Sequence, residues 1–389
     1  MLFKSVRSNS IEQRSQALFS KSVDRNPRFD RRSSRRFPQL VIPTPVLYLL
    51  RLLIFGVGVG AIAGTVLANI DPASRPFAKA QLNHSESSQP QKLTRQETKK
   101  QENQPAPGSL TQEINPLKAK LKALAAKYPK VKPGIFLVDL DNGAYVDSQA
   151  GTAFPAASTI KLPVLVAFFQ AVDAGKIRLD EKLTIKKEVI ASGSGELQYQ
   201  KPGTQLTALE TARKMIAISD NTATNMLIAR LGGSTALNHR FQEWGLTSTA
   251  IRKPLPDLEG TNTTSPRDLA DLLMRVNQGE LVSLRSRDRL IDILKETVNT
   301  SLLPQGLEKD ASIAHKTGDI GTVLGDAGII DMPSGKRYIT AVMVKRPYND
   351  PEARTLIQEI SSAAYQHLKW YQAGTGKPKA TAAKAAARK

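Results

Sequence analysis

The stretch ASTIKLPVLVAFFQ, residues 157–170, places one serine and one lysine three positions apart at the mouth of an apolar run. On a helix Ser158 and Lys161 share a face, because residues three apart are surface neighbours. Two readings compete. In the first, Ser158 caps a buried helix and Lys161 snorkels its charge to water. In the second, Ser158 is a nucleophile and Lys161 its base. Serine is a weak nucleophile at neutral pH and needs a base beside it. A lysine serves as that base only when burial or a second cation lowers its pKa. The run LPVLVAFF, residues 162–169, buries one side of the helix and supplies a low-dielectric wall beside Lys161. Pro163 does not argue against a helix from Ser158, since first-turn N–H groups have no partner within the helix. Phe154 and Pro155, just upstream, fix the approach of the chain.

Around this stretch the chain folds from about Ile114. NPLKAKLKALAAKY, residues 115–128, repeats Leu117, Leu121 and Leu124 at helical spacing. GIFLVDL, then Asp141-Asn142-Gly143, then AYVDS predict a strand, a tight turn and a second strand. Helical patterns follow over residues 158–174, 208–218, 221–231, 234–244, 266–277 and 285–297. Three strand-like runs come late (SIAHKTG, LGDAGIIDM and YITAVMV), before a closing helix over 351–371. Strands at both ends with helices between them predict an α+β fold. One antiparallel five-stranded sheet flanked by helices would join the two ends. The middle would form an all-helical lobe, with the site between lobe and sheet. No internal repeat is visible.

The chain has 389 residues and a net charge of +20, but the charge is unevenly placed. Residues 1–51 hold 11 Lys and Arg against 3 Asp and Glu, whereas residues 114–372 hold 33 against 27. The positive charge lies mostly outside the folded part, which argues against a nucleic-acid groove there; charged tails are usually just solvated. With no cysteine, disulfides and thiolate-bound zinc are excluded. His84, His239, His315 and His367 are scattered and form no HExxH, so neither metal nor cofactor is expected.

Residues 52–70 run for 19 positions without a charge, close to what a hydrocarbon core about 30 Å thick requires. The favoured reading is a transmembrane anchor over residues 45–70. The Arg-rich residues 1–44 would then be cytoplasmic and the rest of the chain extracytoplasmic, by the positive-inside rule. A cleaved signal peptide with secretion is the competing reading, although the charged region before the apolar run is long for one. Gly56, Gly60 and Gly64 share a helix face on which two anchors could pack. Residues 71–113 are polar and read as a disordered linker. Residues 373–389 read as a basic, low-complexity disordered tail. A monomeric catalytic domain over 114–372 is expected.

Two more motifs lie downstream of Ser158. Ser219-Asp220-Asn221 follows it by 61 residues, and Lys316-Thr317-Gly318 begins 97 residues after Ser219. Each occurs once. Alone, the first reads as caps between two helices and the second as a charged strand end before a turn. The ordered set of three is far more specific than any member. With FPAASTIK, SDNTATNMLI, TTSPRDLA and HKTG in this order, the chain resembles the penicillin-recognising serine enzymes, the class A β-lactamases and penicillin-binding proteins. The resemblance covers residues 114–372.

The resemblance implies roles. Ser158 would attack the carbonyl of a β-lactam or D-alanyl amide. Lys161 would take or relay its proton, and Ser219 would pass a proton to the leaving nitrogen. Asn221 would hold the substrate amide and orient Lys161. Lys316 and Thr317 would receive the substrate carboxylate, with Gly318 completing that motif. The N–H groups of Ser158 and Asp319 would form an oxyanion hole. Asp220 would tie the loop down. One departure stands out. Class A enzymes carry a loop glutamate that activates the deacylating water, but IRKPLPDLEGTNTTSP shows no E-x-x-L-N. Asp257 and Glu259 are the nearby carboxylates, either candidates for that role or surface turn residues. Three functions are therefore open: a membrane-anchored β-lactamase, a D,D-peptidase trapped by β-lactams, and a non-catalytic binding module.

Overall fold

The computed structural model describes residues 109–371. In chain order the elements are α1 (Asn115–Ala126), β1 (Lys132–Asp139), β2 (Tyr145–Ser148), β3 (Phe154–Pro155) and a 3-10 turn (Ala157–Ile160). Then come α2 (Lys161–Asp173), β4 (Lys182–Thr184), β5 (Gln205–Thr207), α3 (Ala208–Ala217), α4 (Asn221–Arg230), α5 (Gly233–Glu243) and β6 (Thr263–Thr264). The chain closes with α6 (Pro266–Gln278), α7 (Leu284–Lys295), β7 (Ser312–Ile320), β8 (Val323–Asp331), β9 (Arg337–Lys345) and α8 (Glu352–Trp370).

The main sheet has the order β2-β1-β9-β8-β7, antiparallel throughout. Successive side chains of a strand face opposite sides, and here both sides are covered. Ile135, Leu137, Leu324, Val342 and Val344 join a core with α1 and α8. Phe136, Val138, Ala327, Ala341 and Met343 join the core of the helical lobe. This is the expected α+β architecture, with the first and last segments sharing one sheet. In the lobe, Thr207 and Glu210 form a capping box on α3. Ser265 caps α6, with Pro266 in its first turn and Gly279 ending it.

The structure departs from the sequence reading in four places. The fold begins before Ile114: Thr111 N–H donates to Gly143 O at 2.9 Å and Ile114 N–H to Tyr145 O at 2.7 Å. Ser158 lies in the 3-10 turn, and α2 starts only at Lys161. The hairpin β4–β5 and the two-residue pair β3–β6 were not foreseen. Strand β7 runs two residues past Gly318. The assignments for residues 1–44, the anchor 45–70, most of the linker and the tail lie outside the described residues. Among the described residues no helix is long and apolar enough to cross a membrane.

Candidate active site

Ser158 does not cap a helix: neither the 3-10 turn nor α2 has a side-chain cap at its start. Instead the turn eclipses residues three apart and brings Lys161 Nζ to 3.0 Å from Ser158 Oγ. Three more oxygens surround the amine. Ser219 O lies at 2.6 Å, Ser219 Oγ at 3.0 Å and Asn221 Oδ1 at 2.9 Å. Two segments hold this arrangement in left-handed backbone. Ala157 has φ +45° and Ser219 has φ +57°. Each such residue costs on the order of 1–3 kcal/mol and persists only where its surroundings enforce it. At Ala157 the enforcement is visible. The preceding Phe154–Pro155 pairs with Thr263–Thr264, and Ala156 N–H donates to Asn262 O at 2.7 Å.

Asp220 is structural, as the sequence implied. Fully buried, it caps α4 through Ala223 N–H at 2.8 Å. Its other oxygen accepts from Glu196 N–H and Leu197 N–H at 2.8 and 2.9 Å. Gly195, at φ +96°, makes that approach possible; a Cβ there would stand 2.2 Å from Asp220 Oδ2. Asn221 Nδ2 donates to Ser192 O at 2.9 Å, so the loop of residues 192–198 closes one side of the site. Sequence reasoning passed over that loop, although glycines 193 and 195 flanking Ser194 were a visible signal.

On the opposite side β7 supplies Lys316, Thr317, Gly318 and Asp319. Gly318 is where the strand meets the turn that carries Ser158, since a Cβ there would stand 2.9 Å from Thr159 Cγ2 and 3.0 Å from Thr159 N. Lys316 is fully buried and donates to Thr317 O at 2.9 Å. Asp319 pairs with the largely buried Arg346, which also donates to Gly321 O and Ile320 O, each at 3.2 Å. Between these walls lies a cleft of about 330 Å³, lined in part by Ser158, Ser194, Ser219, Lys316, Thr317 and Asp319. Thr297, Val298 and Asn299 complete its outer edge; no motif marked them.

Burial drives the electrostatics. It pushes the Lys161 amine well below the ordinary lysine range, with the nearby Lys316 charge adding to the effect and Asp220 opposing it. Burial likewise lowers Lys316 to about 8, against the pull of Asp326. A neutral Lys161 amine can receive a proton from the Ser158 hydroxyl, while Lys316 retains a positive charge at neutral pH. Asp319 is raised, chiefly by burial, with Arg346 opposing.

Neither loop carboxylate is among the residues lining the cleft around Ser158. Both oxygens of buried Asp257 are taken up within its own loop, by Asn262 N–H at 2.6 Å and Thr261 Oγ1 at 3.0 Å. Glu259 is exposed and pairs with Lys253 at 2.9 Å. The loop residue moored to α4 is Leu255, whose N–H and C=O bond to the two side-chain atoms of Asn225 at 3.0 and 2.8 Å. Among the described residues no cluster of His, Cys, Asp and Glu could hold a metal ion.

The comparisons agree with this geometry. A solved structure of PBP-A is 54% identical, covering 67% of this chain and 98% of that one, with a TM-score of 0.66. A point mutant of PBP-A, solved as an acyl-enzyme complex with penicillin G, is 55% identical over 66% of this chain and 97% of that one, with a TM-score of 0.65. Beta-lactamase 3 of Bacillus cereus is 28% identical over 250 residues, 61% of this chain and 77% of that protein. The model of the β-lactamase enzyme family matches residues 116–368, and the chain belongs to that family.

Proposed function

We propose that this serine hydrolase opens β-lactam and D-alanyl amides through an acyl-enzyme on Ser158 and releases the acyl group slowly, in the manner of a penicillin-binding D,D-peptidase. The observation that carries the acylation step is the 3.0 Å approach of Lys161 Nζ to Ser158 Oγ, with Lys161 pushed toward its neutral form. Ser158 Oγ attacks the amide carbon and its proton passes to Lys161. The N–H groups of Ser158 and Asp319 receive the developing oxyanion. As the C–N bond breaks, Ser219 Oγ delivers a proton to the leaving nitrogen and is resupplied from Lys161. Lys316 and Thr317 hold the substrate carboxylate, and Asn221 its amide.

Slow release follows from where the loop carboxylates are. Hydrolysis of the ester needs a base to activate water, and Asp257 and Glu259 are engaged elsewhere. The likeness to named β-lactamases at 26–28% identity favours a second reading, in which the ester turns over. Intact-mass spectrometry of the full-length chain with penicillin G separates the two. The expected result is a long-lived adduct of one drug molecule, absent in Ser158→Ala. Rapid loss of drug with no standing adduct would establish turnover instead. Neither adduct nor drug loss would end the catalytic reading of Ser158. The same proposal tethers the domain outside the membrane through residues 45–70, on the strength of their uncharged run and the basic residues before it.

A further inference from the structure

The far face of β7 carries a buried acid and base that the steps above do not use. His315 is 2% exposed and Asp326 fully buried. His315 Nδ1 lies 2.9 and 3.1 Å from the two Asp326 oxygens. Both residues adjoin the machinery. His315 directly precedes Lys316, and Asp326 stands opposite Thr317 in the β7–β8 ladder. Strand alternation separates them from the lysine: Ala314 and Ala327 mark the lobe side that Lys316 shares, whereas Ile313 and Leu324 mark the α8 side of His315 and Asp326.

Asp326 has a second partner. Leu303 N–H donates to its Oδ2 at 3.2 Å, and Leu303 O accepts from Ser361 Oγ of α8 at 2.7 Å. The chain leading to Leu303 forms the cleft edge, where Thr297 Oγ1 donates to His315 O at 2.6 Å. The His315–Asp326 pair is thus the knot that ties the outer wall of the cleft to the strand carrying Lys316.

The same carboxylate bears on a charge problem. Lys161 and Lys316 are both buried, and each disfavours the other's proton. The chemistry needs Lys161 neutral and Lys316 charged. The remaining charged groups of the neighbourhood do not supply that asymmetry. Asp220 acts on Lys161 in the wrong direction, and Asp319 is paired with Arg346. Asp326 favours a charged Lys316.

We propose that Asp326, held by His315, is a positioning residue for acylation: its buried charge keeps the proton on Lys316 while Lys161 remains a free base, and its bond to Leu303 fixes the cleft wall. This rests on the acyl-enzyme reading of Ser158. The test is the pH profile of penicillin acylation in the full-length chain, followed by intact mass. The unmodified protein should lose rate on the alkaline side as Lys316 deprotonates, at about pH 8. Asp326→Asn keeps an acceptor for Leu303 N–H but removes the charge, and should move that limb acidward by about one pH unit, the scale of a nearby charge. His315→Asn leaves the carboxylate in place, and its limb should stay or move alkaline. Ser361→Ala loosens the same turn without changing charge and should leave the limb where it is.

An Asp326→Asn profile that superimposes on the unmodified one overturns the proposal, as do three variants that all shift alike. If Asp326→Asn does not fold, His315→Asn decides, because an acidward limb there is incompatible with the proposal. NMR titration of lysine-labelled protein, with Lys316 identified by Lys316→Gln, reads the same shift without substrate. Failure of the unmodified protein to acylate therefore counts against the acyl-enzyme reading alone.

Discussion

Burial strips water from the Lys316 ammonium, which donates to Thr317 O at 2.9 Å and is favoured by the Asp326 charge, yet burial outweighs both. That arrangement has a sign that can be measured. Lys316 falls from 10.5 to about 8 on folding, so between those values the unfolded chain holds the extra proton and stability rises with pH. Below about 8 the full penalty is present, on the order of 3 kcal/mol for such a shift. Lys316→Met should therefore be more stable than the unmodified protein by about 2–3 kcal/mol at pH 7. The gain should vanish as pH approaches the ordinary lysine value, and acylation should be lost. Urea denaturation across pH checks this; a destabilised variant at pH 7 would show that the ammonium is better satisfied than its burial indicates. Such residues were only partly legible beforehand. The Ser158–Lys161 pair, Ser219, Asn221 and Lys316 were visible as motifs, and Asp220 as a cap. Asp326 was not, because its relation to Lys316 comes from strand register, which no local spacing encodes.

Among the elements, the 3-10 turn and α4 do most to shape the chemistry. An α-helix from Ser158 was the natural reading of an apolar run with Pro163 near its start. The tighter turn arises where Ala157 is forced to φ +45° and β3–β6 pins the approach. Long amphipathic helices and the buried strands were legible from their periodicity. The two- and three-residue strands were not, since partners more than 20 residues away decide their pairing. The loop of residues 252–262 escaped for the same reason: its carboxylates drew notice, yet the structure moors it to α4 through Leu255. Asn225, which brackets Leu255, lies one helical turn beyond Asn221, the residue that touches Lys161. A carboxylate at position 255 would thus lie on a loop bonded to the face of α4 that serves the site. Leu255→Glu should shorten the lifetime of the penicillin adduct by about tenfold or more, a modest share of what a placed general base contributes. Decay of the intact-mass adduct after drug removal measures it. An unchanged lifetime would mean that the side chain at 255 points away from the ester.

Across the whole molecule, the sheet that carries Lys316 is assembled from both ends of the domain: β1 and β2 come first in the chain and β7–β9 last. The far face of that sheet is closed by α1 and α8, so the site depends on residues well over a hundred positions from Ser158. In α8, Leu356, Ile357, Ile360, Tyr365 and Leu368 are all buried. At about 1.5–3 kcal/mol for each large apolar side chain, they contribute on the order of 10 kcal/mol, comparable with the whole stability of a typical domain. A chain ending at residue 350 should fail to fold, although it retains every residue of the three motifs. Removal of residues 1–108 should do the opposite. Among the described residues Thr111 already bonds the turn between β1 and β2, and a chain starting at residue 109 retains that bond. It should acylate with penicillin at the full-length rate within about twofold, a difference too small to reflect a lost interaction of even 1 kcal/mol. If residues 45–70 tether the full-length chain as proposed, the truncated chain should also leave the membrane fraction. Acylation assays and sedimentation of both chains read these outcomes. Cooperative unfolding and normal acylation without α8 would show that the far face does not support the site. A truncated chain that still sediments with membranes would place the tether elsewhere in the molecule.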